Sequence, residues 1–188
     1  GIVQEGIVSV TIGTSGVVFA STESMPMPGA PGVSPLLEVF CHALPNTWHQ
    51  MGVILAATDA LNWYAKLLGT DAARLTGELG DLQAPGKTLF LPYLGGERTP
   101  LNSATVRGAF TGLEHATDRK AATRAVLEGV TYAIRDSRDA LAATGTKLEN
   151  LLAVGGGSKS DYWLKLIATA LGCPVQLPVA GDFGGAFG

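Results

Sequence analysis

Cysteine is scarce: Cys41 and Cys173 are the only two in 188 residues, with no Cys-x-x-Cys spacing. That usage argues against a disulfide scaffold or a structural zinc site and points to a reducing, cytoplasmic compartment. Charge is sparse as well, at 15% Asp, Glu, Lys and Arg with a net −3, so no basic surface advertises nucleic acid or an anionic membrane. No apolar run approaches the about 18 residues that a membrane helix needs. An initiator Met and a signal peptide are both missing, and Gly184-Gly185-Ala186-Phe187-Gly188 stops where a helix could begin. The expectation is a piece of a longer protein. What is plentiful is apolar residues (46%) and glycine (25), which suits a packed core with many tight turns.

The most informative stretch is Leu151-Leu152-Ala153-Val154 followed by Gly155-Gly156-Gly157 and a helix carrying Trp163, Leu164, Ile167, Ala168 and Leu171. A buried strand, a glycine turn and a helix start together favour an anion or nucleotide site. Glycine admits close backbone approach, and the helix start offers unpaired N–H groups. A tight β–α turn serving backbone geometry alone is the other reading. Ser158 and Asp161 stand at N-cap and N3 spacing, so Asp161 is either a ligand group or half of a capping box.

Toward the N-terminus, Ile7–Ile12 alternates apolar and polar as a half-buried strand does, and Val17–Thr22 is β-branched and aromatic. Gly13-Thr14-Ser15-Gly16 between them is read first as a plain hairpin turn, with an anion-binding nest as the second reading. Met25–Pro35 reads as a loop, Leu37–Leu44 as a third strand, and Pro45-Asn46-Thr47 as the entry to a long helix over Trp48–Leu68 interrupted by Gly52. A short helix follows at Asp71–Leu79, then a short strand at Thr88–Leu91 and an irregular Pro92–Pro100 segment. Gly108–Leu113 is a strand or turn, and a long helix capped by Thr117 runs to about Ala143. Cys173–Leu177 makes a last strand. This order predicts an α/β fold with a mixed sheet flanked by helices, of the ribonuclease-H-like type used by actin-type ATPases and sugar kinases.

Familiar motifs fail on inspection. A Walker P-loop needs glycine where Ala153 and Ser158 stand, and a dinucleotide fingerprint would end at Ser160 with no acid after the next strand. Asp182-Phe183-Gly184 lacks the other protein-kinase motifs, and His42, His49 and His115 are scattered, without a hydrolase elbow.

Taken together, several segments resemble the C-terminal domain of FGGY-type carbohydrate kinases. They are Val10–Gly16, Phe40–Pro45 with Trp48–Gly52, Phe90–Pro100, Arg107–Phe110 with Gly112-Leu113, Arg124–Gly129 and Gly155–Ser160. Glu97-Arg98-Thr99-Pro100 resembles the xylulokinases of that family rather than its glycerol or gluconate kinases. Two departures are Ala121-Ala122, where relatives carry His-Leu, and Asp161, where an Asn is common. The resemblance implies that residues 1–188 are the ATP-binding lobe of a kinase making D-xylulose 5-phosphate from D-xylulose. An N-terminal sugar-binding lobe and the end of the last helix would lie outside the chain.

It implies Gly13 and Thr14 at the ATP phosphates with Ser15 beside them, and Gly52 near the nucleotide at a helix start. Gly155, Gly156, Gly157 and Ser158 would form the adenosine side, with Gly157 against the α-phosphate and Asp161 beside adenine or ribose. The chemistry implied is in-line transfer of the γ-phosphoryl of Mg2+-bound ATP to a ketopentose hydroxyl. The Asp general base would lie upstream of Gly1, so no catalytic residue and no metal ligand is expected here. Glu5 sits in a polar turn outside any matching motif and is no substitute. No nucleic-acid or membrane partner is implied, a homodimer is compatible, and the sequence does not set the oligomeric state. Two other readings are a kinase for another sugar or polyol and a non-catalytic actin-like ATP-binding module.

Overall fold

The computed structural model describes residues 2–25 and 37–179, so most of the Met25–Pro35 loop, Asp182-Phe183-Gly184 and the last glycines lie outside it. The first strands are β1 (Gly6–Ile12), β2 (Gly16–Thr22), β3 (Glu38–Cys41) and β4 (Trp48–Ile54), followed by α1 (Thr58–Leu67) and α2 (Ala72–Gly77). Then come β5 (Leu89–Leu91), β6 (Ala109–Thr111), α3 (Arg119–Ala142), β7 (Leu148–Val154), α4 (Asp161–Leu171) and β8 (Val175–Gln176). The main sheet has the order β3-β4-β2-β1-β7-β8, and β5 with β6 forms a separate ribbon. β1, β2, β4 and β3 pair antiparallel while β1–β7 and β7–β8 are parallel, the mixed sheet expected from a hairpin followed by crossovers.

Alternation along β1 and β2 sends Val8, Val10, Ile12, Val18 and Ala20 to a fully buried face. Against that face lies α3, whose apolar stripe includes Val126, Val130, Ile134 and Leu141, with α1 and α4 packed beside it. The α3 start is set by Asp118, whose Oδ1 accepts from Ala121 N at 2.8 Å. Thr117, expected as the cap, instead accepts from Glu114 N in the preceding turn. The β5–β6 ribbon packs on α3, and an aromatic cluster joins it to α1, with Phe90 and Phe110 centroids 4.6 Å apart and Trp63 of α1 stacked on Phe90.

One element departs from the sequence expectation. The predicted helix over Trp48–Leu68 is a strand followed by a shorter helix. Pro45-Asn46-Thr47 is a hairpin turn, with Asn46 at φ +55° and His42 N donating to Thr47 O, and it starts no helix. The alternation Gln50, Gly52, Ile54 inward was masked by Ala56, Ala57 and Ala60, which extend the same apolar spacing into α1. Two tertiary features hold the strand. The buried Gln50 side chain meets Thr146 Oγ1 at 2.9 Å and Thr144 Oγ1 at 3.1 Å. Gly52 lets α3 approach so closely that an added Cβ would sit 2.6 Å from Ser137 Cβ. Gly52→Ala is therefore expected to cost about 2 kcal/mol by overpacking. Ser137→Ala, which removes a buried hydroxyl without a partner, should be neutral or stabilising. Urea denaturation midpoints check both.

Candidate nucleotide site

β7 ends at Val154, and the chain turns through Gly155 into a short 3-10 turn, Gly156–Lys159, before α4. Each of the three glycines has its own surroundings. Gly155 has φ +92°, and a Cβ there would lie 2.8 Å from Ile12 O and 3.2 Å from Gly13 N. It thus needs glycine's backbone freedom and presses directly on the end of β1. Gly157 is buried, and a Cβ would come 2.3 Å from Ile12 Cγ2 and 3.1 Å from Trp163 Cζ3. A Cβ on Gly156 would meet nothing within 4 Å, for it faces open space.

That space is a cavity of about 690 Å³. One wall is the glycine turn and the first residues of α4: Gly156, Gly157, Lys159, Ser160, Asp161, Tyr162 and Trp163. The other comes from α1 (Thr58, Leu61, Asn62) and α2 with the turn after it (Ala72, Ala73, Thr76, Gly77, Gly80). Trp163 is fully buried, donating from Nε1 to Thr131 Oγ1 at 3.1 Å, and this ties that wall to α3. Burial raises the Tyr162 hydroxyl above its ordinary pKa, so it stays a neutral phenol. The size is that of a small-molecule site, with apolar carbon along the walls and polar groups at the rim.

Helix capping resolves the Ser158–Asp161 ambiguity differently from the sequence. Ser160 is the N-cap of α4, its Oγ accepting from Trp163 N at 3.3 Å. Ser158 turns back to donate to Gly155 O at 2.7 Å, and Asp161 is the first helical residue. The capping-box alternative for Asp161 is not formed, and its exposed side chain stands on the cavity rim at the positive end of α4.

The hairpin residues Gly13, Thr14 and Ser15 lie outside this lining but adjoin it. Gly13 O accepts from both Thr58 N and Thr58 Oγ1 at 2.8 Å, and Thr14 O accepts from Ala57 N at 2.8 Å and Asp59 N at 3.3 Å. The first amides of α1, which no helical carbonyl can reach, are thus satisfied by the hairpin. Thr14 and Ser15 are exposed, and Gly13 touches Gly155. The two loops singled out in the sequence, more than a hundred residues apart, meet at the end of β1. Gly52 does not join them: it is inside β4 facing Ser137, not at a helix start, and is no part of the cavity lining. The sequence reading missed Thr58, Asn62, Thr76 and Lys159. The first two were hidden by the misplaced start of α1; Asn62, a polar residue between the buried Leu61 and Tyr64, was the available signal.

Residues 8–188 match the model of the C-terminal domain of the FGGY family of carbohydrate kinases. The chain is 39% identical over its whole length to the xylulose kinase of Escherichia coli (strain K12) and covers 38% of that protein. Among solved structures it is similar to a xyloylose kinase from Brucella ovis, with 56% identity, a TM-score of 0.91, and coverage of 98% of this chain and 38% of that one. A xylulose kinase from Rhodospirillum rubrum matches at 30% identity and a TM-score of 0.82, covering 94% of this chain and 36% of that one. The chain therefore spans well under half the length of these relatives. The fold they share with it is the sugar-kinase fold of the actin type.

Proposed function

We propose, because the chain belongs to the FGGY family of carbohydrate kinases, that it is the nucleotide-binding lobe of an ATP-dependent kinase acting on D-xylulose. The observation that carries the reading is the open face of Gly156 on a cavity of about 690 Å³, fixed through Gly155 to the end of β1 beside the Gly13–Ser15 hairpin. In this reading adenosine lies along Gly156, Gly157 and the start of α4, with Asp161 and Asn62 as polar rim groups. The phosphates run toward Thr58 and the exposed hydroxyls and amides of Thr14 and Ser15. Among the described residues no cluster of His, Cys, Asp or Glu could hold a metal, so Mg2+ would enter on the phosphates. When bound, MgATP supplies the transferable phosphoryl group. The chain's own residues hold it at two ends, exclude water from its apolar side and orient it toward the acceptor. The ketopentose and the Asp that takes its proton would belong to the rest of the protein, acting in the cytoplasm. No helix among the described residues is long and apolar enough to cross a membrane.

Two titrations test this. Isothermal titration of the chain with ATP and adenosine should give one saturable site for each, with the phosphates contributing to affinity. The protein carrying its N-terminal lobe should release ADP on addition of D-xylulose, and the 188-residue chain alone should not. Absence of nucleotide binding sinks the lobe assignment, and activity confined to another sugar or polyol sinks the substrate.

A further inference from the structure

β3 pairs only with the first half of β4, up to Met51. Beyond it the outer edge of β4 is served by the Glu97–Thr99 segment. Thr99 N donates to Val53 O at 2.9 Å, Val53 N donates to Thr99 Oγ1 at 3.0 Å, and Leu55 N donates to Glu97 Oε1 at 2.9 Å. Arg98, the exposed member of the segment, forms an ion pair with Glu38 of β3. Glu97 is 2% exposed; its Oε1 also accepts from Arg98 N at 2.7 Å, while Oε2 is buried without a hydrogen-bond partner. A backbone carbonyl could receive Leu55 N at far lower cost than a carboxyl taken out of water. Burial accordingly pushes the Glu97 carboxyl above the usual range. The residues after Leu55 lead from this anchor to the hairpin. Two positions on, Ala57 N and then Thr58 N and Oγ1 grip the carbonyls of Thr14 and Gly13. Glu97 therefore fixes the strand end from which the hairpin is held.

We propose that Glu97 is a positioning residue for the phosphate end of the site, acting through Leu55 and the 55–58 connection on the Gly13–Ser15 hairpin. The inference rests on the nucleotide reading above. It assigns Glu97 no contact with the nucleotide, and it separates the two ends of the ligand, because the start of α4 is anchored through Trp163 to α3, and α1, which carries Asn62, packs on α3 as well.

The test is calorimetric titration of the chain and its variants with ATP and with adenosine. Glu97→Ala is expected to weaken ATP at least about tenfold and adenosine by less than about twofold. Glu97→Gln, whose amide oxygen still accepts Leu55 N, should restore ATP to within about threefold. Equal losses for both ligands, or no loss of ATP, overturn the inference. If the unmodified chain binds neither ligand, the nucleotide reading itself fails. Should Glu97→Ala not fold, hydrogen exchange on the unmodified chain decides. The amides of Leu55, Ala57 and Thr58 should slow at least about tenfold more with ATP than with adenosine, and equal protection overturns the proposal.

Discussion

Gly156→Leu is expected to remove nucleotide binding while leaving the fold intact. The position is exposed, its φ is not in the left-handed region, and a Cβ there meets no atom within 4 Å. A leucine side chain would project into the volume between the glycine turn and α1–α2, where the adenosine is proposed to lie. The expected loss of ATP affinity is at least about 100-fold, or about 2.7 kcal/mol. The melting temperature should hold, since surface changes away from packed features usually stay within about 0.5 kcal/mol. Titration calorimetry paired with a thermal melt checks it. ATP affinity within threefold of the parent would remove Gly156 from the site. The comparison with Gly157→Ala is informative, because there a single methyl meets Ile12 and Trp163 and should lower stability before it touches any ligand.

A stability loss as large as that at Gly52 is expected at Gly129, buried in the middle of α3. Helix propensity alone favours Gly129→Ala by about 1 kcal/mol. Packing opposes it strongly: the added Cβ would lie 2.1 Å from Phe90 O and 3.0 Å from Phe90 C in β5. Those are backbone atoms and cannot rotate aside, so the ribbon must lift off α3. Overpacking of this kind costs about 3 kcal/mol or more, and the net result is a loss of about 2 kcal/mol. A urea midpoint equal to or above that of the parent would show that β5 yields more easily than its aromatic cluster implies.

The elements most legible in the sequence were those with one clean period. The alternation of Ile7–Ile12 gave β1, and the spacing of Val126, Val130, Ile134 and Leu141 gave α3 almost to the residue. The glycine turn was legible because strand, turn and helix are contiguous. What local pattern could not carry was anything decided by contact across the fold. β4 read as helix because Val53, Ala56, Ala57 and Ala60 share a helical spacing that spans a strand end and a helix start. The buried hydrogen bonds of Gln50 and the approach of Ser137 to Gly52 decide otherwise. The same error hid Thr58 and Asn62. Sequence could name three glycines, but only geometry separates the one that faces the cavity from the two that pack. The cap moved from Ser158 to Ser160 because the 3-10 turn inserts residues between strand and helix, a detail that spacing rules do not register.

The bonding of α1 to the hairpin has an electrostatic consequence. A planar trans peptide points its C=O and N–H in opposite directions. When Gly13 and Thr14 carbonyls take the first amides of α1, the N–H groups of the next residues, Thr14 and Ser15, are aimed away from the helix. The peptide units of the hairpin then stand in series with those of α1, and hydrogen-bonded dipoles in a row polarise one another. The positive pole of the helix is relayed one peptide outward, onto the amides of Thr14 and Ser15. An anion at the hairpin would feel a ten-residue helix without touching it.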